Sequence, residues 1–121
     1  MSLDIAFPCD RRAPARARDA VRELGGQLDP QLAADVELLV SELVSNSVQY
    51  AGDGNVHLSA LSDRPRHVWV EVSDEGEGFV AIARDRSPTE IGGWGLHLVA
   101  SVADRWGVLG GSTRVWFEID R

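Results

Sequence analysis

Two runs of strict alternation constrain this chain most: Val56, Leu58 and Ala60, then Val68, Val70 and Val72, on either side of the turn-forming segment Asp63 to Arg66. Successive side chains of a strand point to opposite faces, so each run presents one apolar face, and a connection this short returns the chain antiparallel. Residues 56–72 therefore predict a hairpin with one face that must be covered. Upstream, Leu3, Ile5 and Phe7 alternate with Asp4 and Ala6 up to Pro8, as in a short edge strand. The cover comes next. From Pro14 the period becomes helical, with Ala17, Ala20, Val21 and Leu24 on one face and Gly25-Gly26 after the last turn. Asp29 then offers an N-cap ahead of Pro30, and Leu32, Val36, Leu39, Leu43 and Val44 continue at helical spacing to about Ala51, the longest helix expected.

The second strand of the hairpin runs directly into DEGEGF at 74–79, and residues 80–91 have no period and read as a loop. From Gly95, Leu96, Leu98, Val99 and Val102 predict a helix ending near Asp104, followed by strands at 106–109 and 113–119. The order is strand, helix, helix, two strands, loop, helix, two strands. It predicts an α+β fold: a two-layer α/β sandwich whose mixed, mostly antiparallel sheet is covered by helices on one face. With 121 residues, no linker and no repeat, residues 1–121 read as a single domain.

Charge then excludes whole classes of function. The 12 basic residues are all arginine and face 19 acidic ones, for a formal net charge of −7. An acidic chain has no general electrostatic grip on nucleic-acid phosphates, so direct nucleic-acid binding is not expected. Without lysine there is no Walker-type phosphate loop and no Schiff-base chemistry, and any phosphate must be held by backbone amides, arginine or a metal. Cys9, the only cysteine, has no disulfide or zinc partner of its own kind and reads as a small half-buried residue near the start of the chain. The first ten residues lack the basic flank and long apolar run of a signal peptide, and no apolar stretch reaches membrane-spanning length, so a cytoplasmic protein with no membrane contact is expected.

Three constellations carry chemistry. Glu42 and Asn46, in ELVSN at 42–46, are one helical turn apart and project together; the amide oxygen suits Mg²⁺ and the carboxylate suits a proton acceptor, although a pair like this also fits a solvated helix face. In DEGEGF, Asp74 can accept a hydrogen bond from an amino group, and Gly76 and Gly78 let the backbone approach a ligand, as they also would in a plain glycine turn. In GGWGL at 92–96, just ahead of a helix, the amides can form an anion nest, or simply a loose N-terminal loop. The order of the three is far more specific than any one of them.

That order resembles the GHKL ATPases: ELVSN is similar to their N box, DEGEGF to their G1 box, GWGL at 93–96 to their G2 box, and GGSTRVWFEI at 110–119 to their last box. The short length, ELVSNSVQYA at 42–51 and VADRWGV at 102–108 look most like the anti-sigma-factor serine kinases. The resemblance implies the ATP-binding Bergerat sandwich, with ATP and Mg²⁺ as ligands. It further implies that Glu42 is the general base, that Asn46 holds Mg²⁺ and that Asp74 binds the adenine amino group. Gly76, Gly78, Gly93, Gly95 and Leu96 would frame the nucleotide, and Thr113 would help hold the adenine. Arg18 matches an arginine that the family turns toward protein partners, which would be a sigma factor and a STAS-domain anti-anti-sigma protein; a homodimer is also typical. The implied activity is phosphorylation of a serine on that STAS partner in the control of transcription. Ser47, Tyr50 and Trp94 depart from the pattern, where alanine, histidine and arginine are common. The loss of an arginine at 94 leaves open a nucleotide-gated binding module with little chemistry, or an accessory protein that binds no nucleotide. His57, His67 and His97 lack metal-ligand spacing and read as structural.

Overall fold

The computed structural model describes residues 2–50, 54–75, 93–108 and 114–121. Strand β1 (Ser2–Pro8) is followed by helices α1 (Ala13–Gly25) and α2 (Pro30–Tyr50), the hairpin β2 (Asn55–Arg64) and β3 (His67–Asp74), helix α3 (Gly93–Val102), and strands β4 (Arg105–Val108) and β5 (Val115–Asp120). The five strands form one sheet in the order β1-β2-β3-β5-β4. Each described ladder is antiparallel, so no parallel pair contributes among the described residues.

The alternation read from the sequence becomes the inner face of this sheet. Val56, Leu58 and Ala60 of β2, Val68, Val70 and Val72 of β3, and Val115, Phe117 and Ile119 of β5 are all buried in one core cluster. The helices cover that face. α2 contributes Leu32, Val36, Leu39, Val40, Leu43 and Val44, while α1 contributes Ala13, Ala17, Ala20, Val21 and Leu24. The three buried alanines of α1, Ala13, Ala17 and Ala20, are short side chains of the kind that permit close helix packing. Two polar ties run along that junction, from Arg18 Nη1 to Ser41 Oγ at 2.9 Å and from Arg22 Nε to Glu37 Oε1 at 2.8 Å. The opposite face of the sheet has no helix on it among the described residues, and Leu61 stands 53% exposed there.

Local signals set the boundaries. Asp29 caps α2 as expected, its Oδ2 accepting from the amides of Gln31 and Leu32, each at 3.2 Å. The amide of Asp29 donates to Pro65 O at 2.8 Å, so the start of α2 is tied to the tip of the β2–β3 hairpin. The strands of that hairpin extend to Arg64 and from His67, leaving a turn of only Pro65 and Arg66, shorter than the expected 63–66. His67 is thereby the first residue of β3 rather than part of a turn. The register slips between Leu61 and Arg64, where buried Ser62 turns its hydroxyl toward His67 O at 2.6 Å and Arg64 O at 2.9 Å. α3 begins at Gly93, two residues before its apolar period does. The expected loop at 80–91 lies outside the described residues.

Candidate functional site

The tie between Asp29 and Pro65 fixes the direction of α2 relative to the hairpin. A helix of 21 residues is about 30 Å long and a strand of 8 is about 26 Å. Starting beside the tip at Pro65, α2 therefore brings its C-terminal half, with Glu42 and Asn46, toward the end of the sheet where β3 finishes at Asp74. A chain of contacts confirms that end. Cys9 Sγ donates to Ser47 O at 3.4 Å, Cys9 N donates to Gly54 O at 2.9 Å, and Gly54 immediately precedes β2, whose Val56 pairs with Asp74.

Asn46 is the unusual member. It is only 6% exposed, and its Nδ2 has no hydrogen-bond partner among the described residues. Nearly all buried polar groups in folded proteins are paired, so a buried unpaired amide marks a group kept for something else. One turn earlier Glu42 is half-buried on the same side of the helix, and Ser47 beside them is 3% exposed. Asp74 is half-buried as the last residue of β3. Gly93, Gly95 and Leu96 form the first turn of α3, which packs on α2; the four leading amides of any helix lack intrahelical acceptors and point outward with the positive end of its dipole. Thus the C-terminal half of α2 and the end of β3 converge at one end of the sheet, and α3 packs on α2. Gly76, Gly78 and Thr113 lie outside the described residues.

The amide oxygen of Asn46 is a neutral hard donor of the kind Mg²⁺ accepts, while its Nδ2 is left without a partner among the described residues. Among the described residues no cluster of three or more His, Cys, Asp and Glu forms a metal site by itself. A metal here would share its shell with a ligand's oxygens.

Arg18 is half-buried and donates to Ser41 Oγ, so part of its guanidinium is committed to the α1–α2 junction. Sequence reasoning missed Glu75. Its Oε2 accepts from the amide of Asn55 at 2.6 Å, and its side chain lies against Gly54, whose φ of +77° is left-handed. Only its position inside DEGEGF hinted at a role.

A second charged cluster occupies the far end of the sheet. His67 Nε2 is 2.6 Å from Glu118 Oε2, and its Nδ1 is 2.8 Å from Asp63 Oδ1, an ion contact without hydrogen-bond alignment. Arg105 Nε donates to Glu118 Oε1 at 2.7 Å, and Arg64 pairs with Asp120. The hydrogen bond to Glu118, with Asp63 adding its charge and burial opposing, raises the His67 pKa. Hydrogen bonds from Arg105 and then His67 hold the Glu118 carboxyl down to about 2. The cluster sits at the opposite end of β3 from Asp74 and joins β2, β3, β4 and β5, which agrees with a structural His67.

A family profile described as the histidine kinase-like ATPase domain matches residues 7–119. Among solved structures, the histidine kinase domain of the blue-light activated histidine kinase of Erythrobacter litoralis EL346 is 21% identical, with a TM-score of 0.48 over 94% of this chain. This chain covers 61% of that one. A comparison with curated proteins found no match. No helix among the described residues is long and apolar enough to cross a membrane.

Proposed function

Since this chain belongs to the histidine kinase-like ATPase domain family, we propose that it binds Mg-ATP and acts as an anti-sigma-factor-like serine kinase. It would transfer the γ-phosphoryl group to a serine of a STAS-type antagonist in partner-switching control of transcription. The observation that carries the nucleotide site is the buried amide of Asn46, its Nδ2 unpaired among the described residues, one turn from Glu42 and at the same end of the fold as Asp74.

Each group has a role that its chemistry suits. Asp74 accepts a hydrogen bond from the adenine amino group, and the leading amides of α3 bind phosphate oxygens without any lysine. Asn46 supplies a neutral oxygen to Mg²⁺, which when bound neutralises charge on the phosphates. Glu42 receives the proton of the attacking serine hydroxyl as its oxygen bonds to the γ-phosphorus and the bridging bond to the β-phosphate breaks, releasing ADP. Arg18 presents its remaining donors to a protein partner. The test is transfer of radiolabelled γ-phosphate to a STAS-domain substrate by the wild type and by Glu42→Gln. Retained transfer in the variant would remove Glu42 from the role of base.

A second reading is favoured by Trp94, which stands between the G2 glycines where an arginine is common. Without that cation there is less stabilisation of charge on the transferring group, and the protein would act as a nucleotide-gated binding module. Saturable Mg-ATP binding, with no transfer to any STAS partner, supports it.

A further inference from the structure

Asn46 and Asp74 come from different elements, α2 and β3, yet in the proposed site they hold opposite ends of one ligand. Something must set their separation. Apart from the apolar packing of α2 on the sheet and the strand ladder that pairs Val56 with Asp74, the described residues provide a polar route between them at this end of the fold. It starts at the carbonyl of Ser47, next to Asn46, which accepts from Cys9 Sγ at 3.4 Å. The Cys9 amide then donates to Gly54 O at 2.9 Å. Gly54 is held from the other side by Glu75: a Cβ placed on Gly54 would lie 3.0 Å from Glu75 Cβ and 3.2 Å from its Cδ. Finally Glu75 Oε2 accepts from the Asn55 amide at 2.6 Å, closing the turn ahead of β2 onto the residue that follows Asp74.

We infer that this route is a brace, and that Glu75 is the positioning residue that fixes Asp74 relative to Asn46 in the nucleotide site. The inference rests on the proposed roles of Asn46 and Asp74. Glu75 is exposed and contributes nothing to the core, so its carboxylate is not there for burial. A carboxylate is also a poor neighbour for a triphosphate by charge alone, since like charges repel. Its retention in this position is explained by the hydrogen bond it accepts and by the fit of its stem over a left-handed glycine. Small errors of position matter at such sites: about 1 Å of misplacement can cost on the order of 100-fold in rate.

Charge and position give opposite signs, which makes the brace testable. Glu75→Ala removes a negative charge and the brace together; Glu75→Gln removes the charge but keeps an acceptor oxygen and the stem. The expected result is about tenfold weaker Mg-ATP binding in Glu75→Ala, with Glu75→Gln within about twofold of the wild type or tighter. Amide hydrogen exchange supplies a readout independent of nucleotide: exchange at Asn55 and Cys9 should accelerate in Glu75→Ala and stay slow in Glu75→Gln, with far-UV circular dichroism unchanged in both. Affinity that is unchanged or improved in Glu75→Ala, or equally weakened in Glu75→Gln, overturns the inference. If the folded wild type binds no ATP, the nucleotide assignment fails, and unchanged exchange at Asn55 in Glu75→Ala would separately dispose of the brace.

Discussion

Replacing Asn46 by leucine should make the ligand-free protein more stable while abolishing its response to nucleotide. The residue is only 6% exposed, and its Nδ2 is unpaired among the described residues. Such a group costs about 1–3 kcal/mol of desolvation that no partner returns. Leucine also gains a few tenths of a kcal/mol in helix propensity over asparagine, against which its branched end needs up to about 1 kcal/mol of local repacking. The net expectation is a gain of about 1–2 kcal/mol. At about 2.1 cal/mol/K per residue, unfolding of 121 residues carries an entropy of about 0.25 kcal/mol/K, so Tm should rise by about 4–8 °C. The assay is thermal unfolding by circular dichroism with and without Mg-ATP. At one hundred times Kd a ligand adds about 2.7 kcal/mol, or about 11 °C, to the wild type, and Asn46→Leu should show none of it. A variant less stable than the wild type without ligand would refute the reasoning, because it would mean that the amide is satisfied and structural.

The far-end cluster gives a prediction in pH. Because the pKa of His67 is raised by Glu118 and Asp63, its stabilisation is complete below the ordinary value of 6.5 and fades as pH rises through the higher folded value, so Tm should decline across that window in the wild type and not in His67→Asn. Glu118 works in the opposite sense: held down to about 2, it contributes above its ordinary 4.5 and that contribution is lost as pH falls toward 2, a limb that Glu118→Gln should flatten in acid unfolding. At the sheet edge, Gly107→Ala would set a Cβ 2.8 Å from Trp116 Nε1, forcing the indole aside; a loss of about 1–3 kcal/mol and a shift in tryptophan emission are expected, and an unchanged melt would show that the ring moves freely.

Much of this fold was legible because the hydrophobic period states it directly. Val56 to Val72 could only be a hairpin with one apolar face, and the phase of Leu32 to Val44 could only be a helix laid on it. Asn46 was reached through its motif, yet the same helical phase points to it, since it stands three residues after Leu43 and seven after Leu39, a polar residue on the buried stripe. Boundaries were less legible. The apolar pattern begins after Gly95, whereas the backbone is already helical at Gly93, and a turn with glycine at two of its first three positions leaves periodicity too few side chains to register. Contacts between residues far apart in sequence were not legible at all. Nothing local links Cys9 to Ser47, Glu75 to Asn55 or His67 to Glu118, and nothing in the first helix foretells that Arg18 donates to Ser41. These long-range pairs hold the end of the fold that carries Asn46 and Asp74 in shape and tie the other end together.

The central claim is that the end of the fold shared by Asn46 and Asp74 is a Mg-ATP site. Titration calorimetry of ATP, with and without Mg²⁺, on the wild type and on Asp74→Asn tests it most directly. The account predicts saturable binding by the wild type, strengthened by Mg²⁺ and weakened at least tenfold in Asp74→Asn. Absence of binding by a well-folded wild type, or equal affinity in Asp74→Asn, would contradict it.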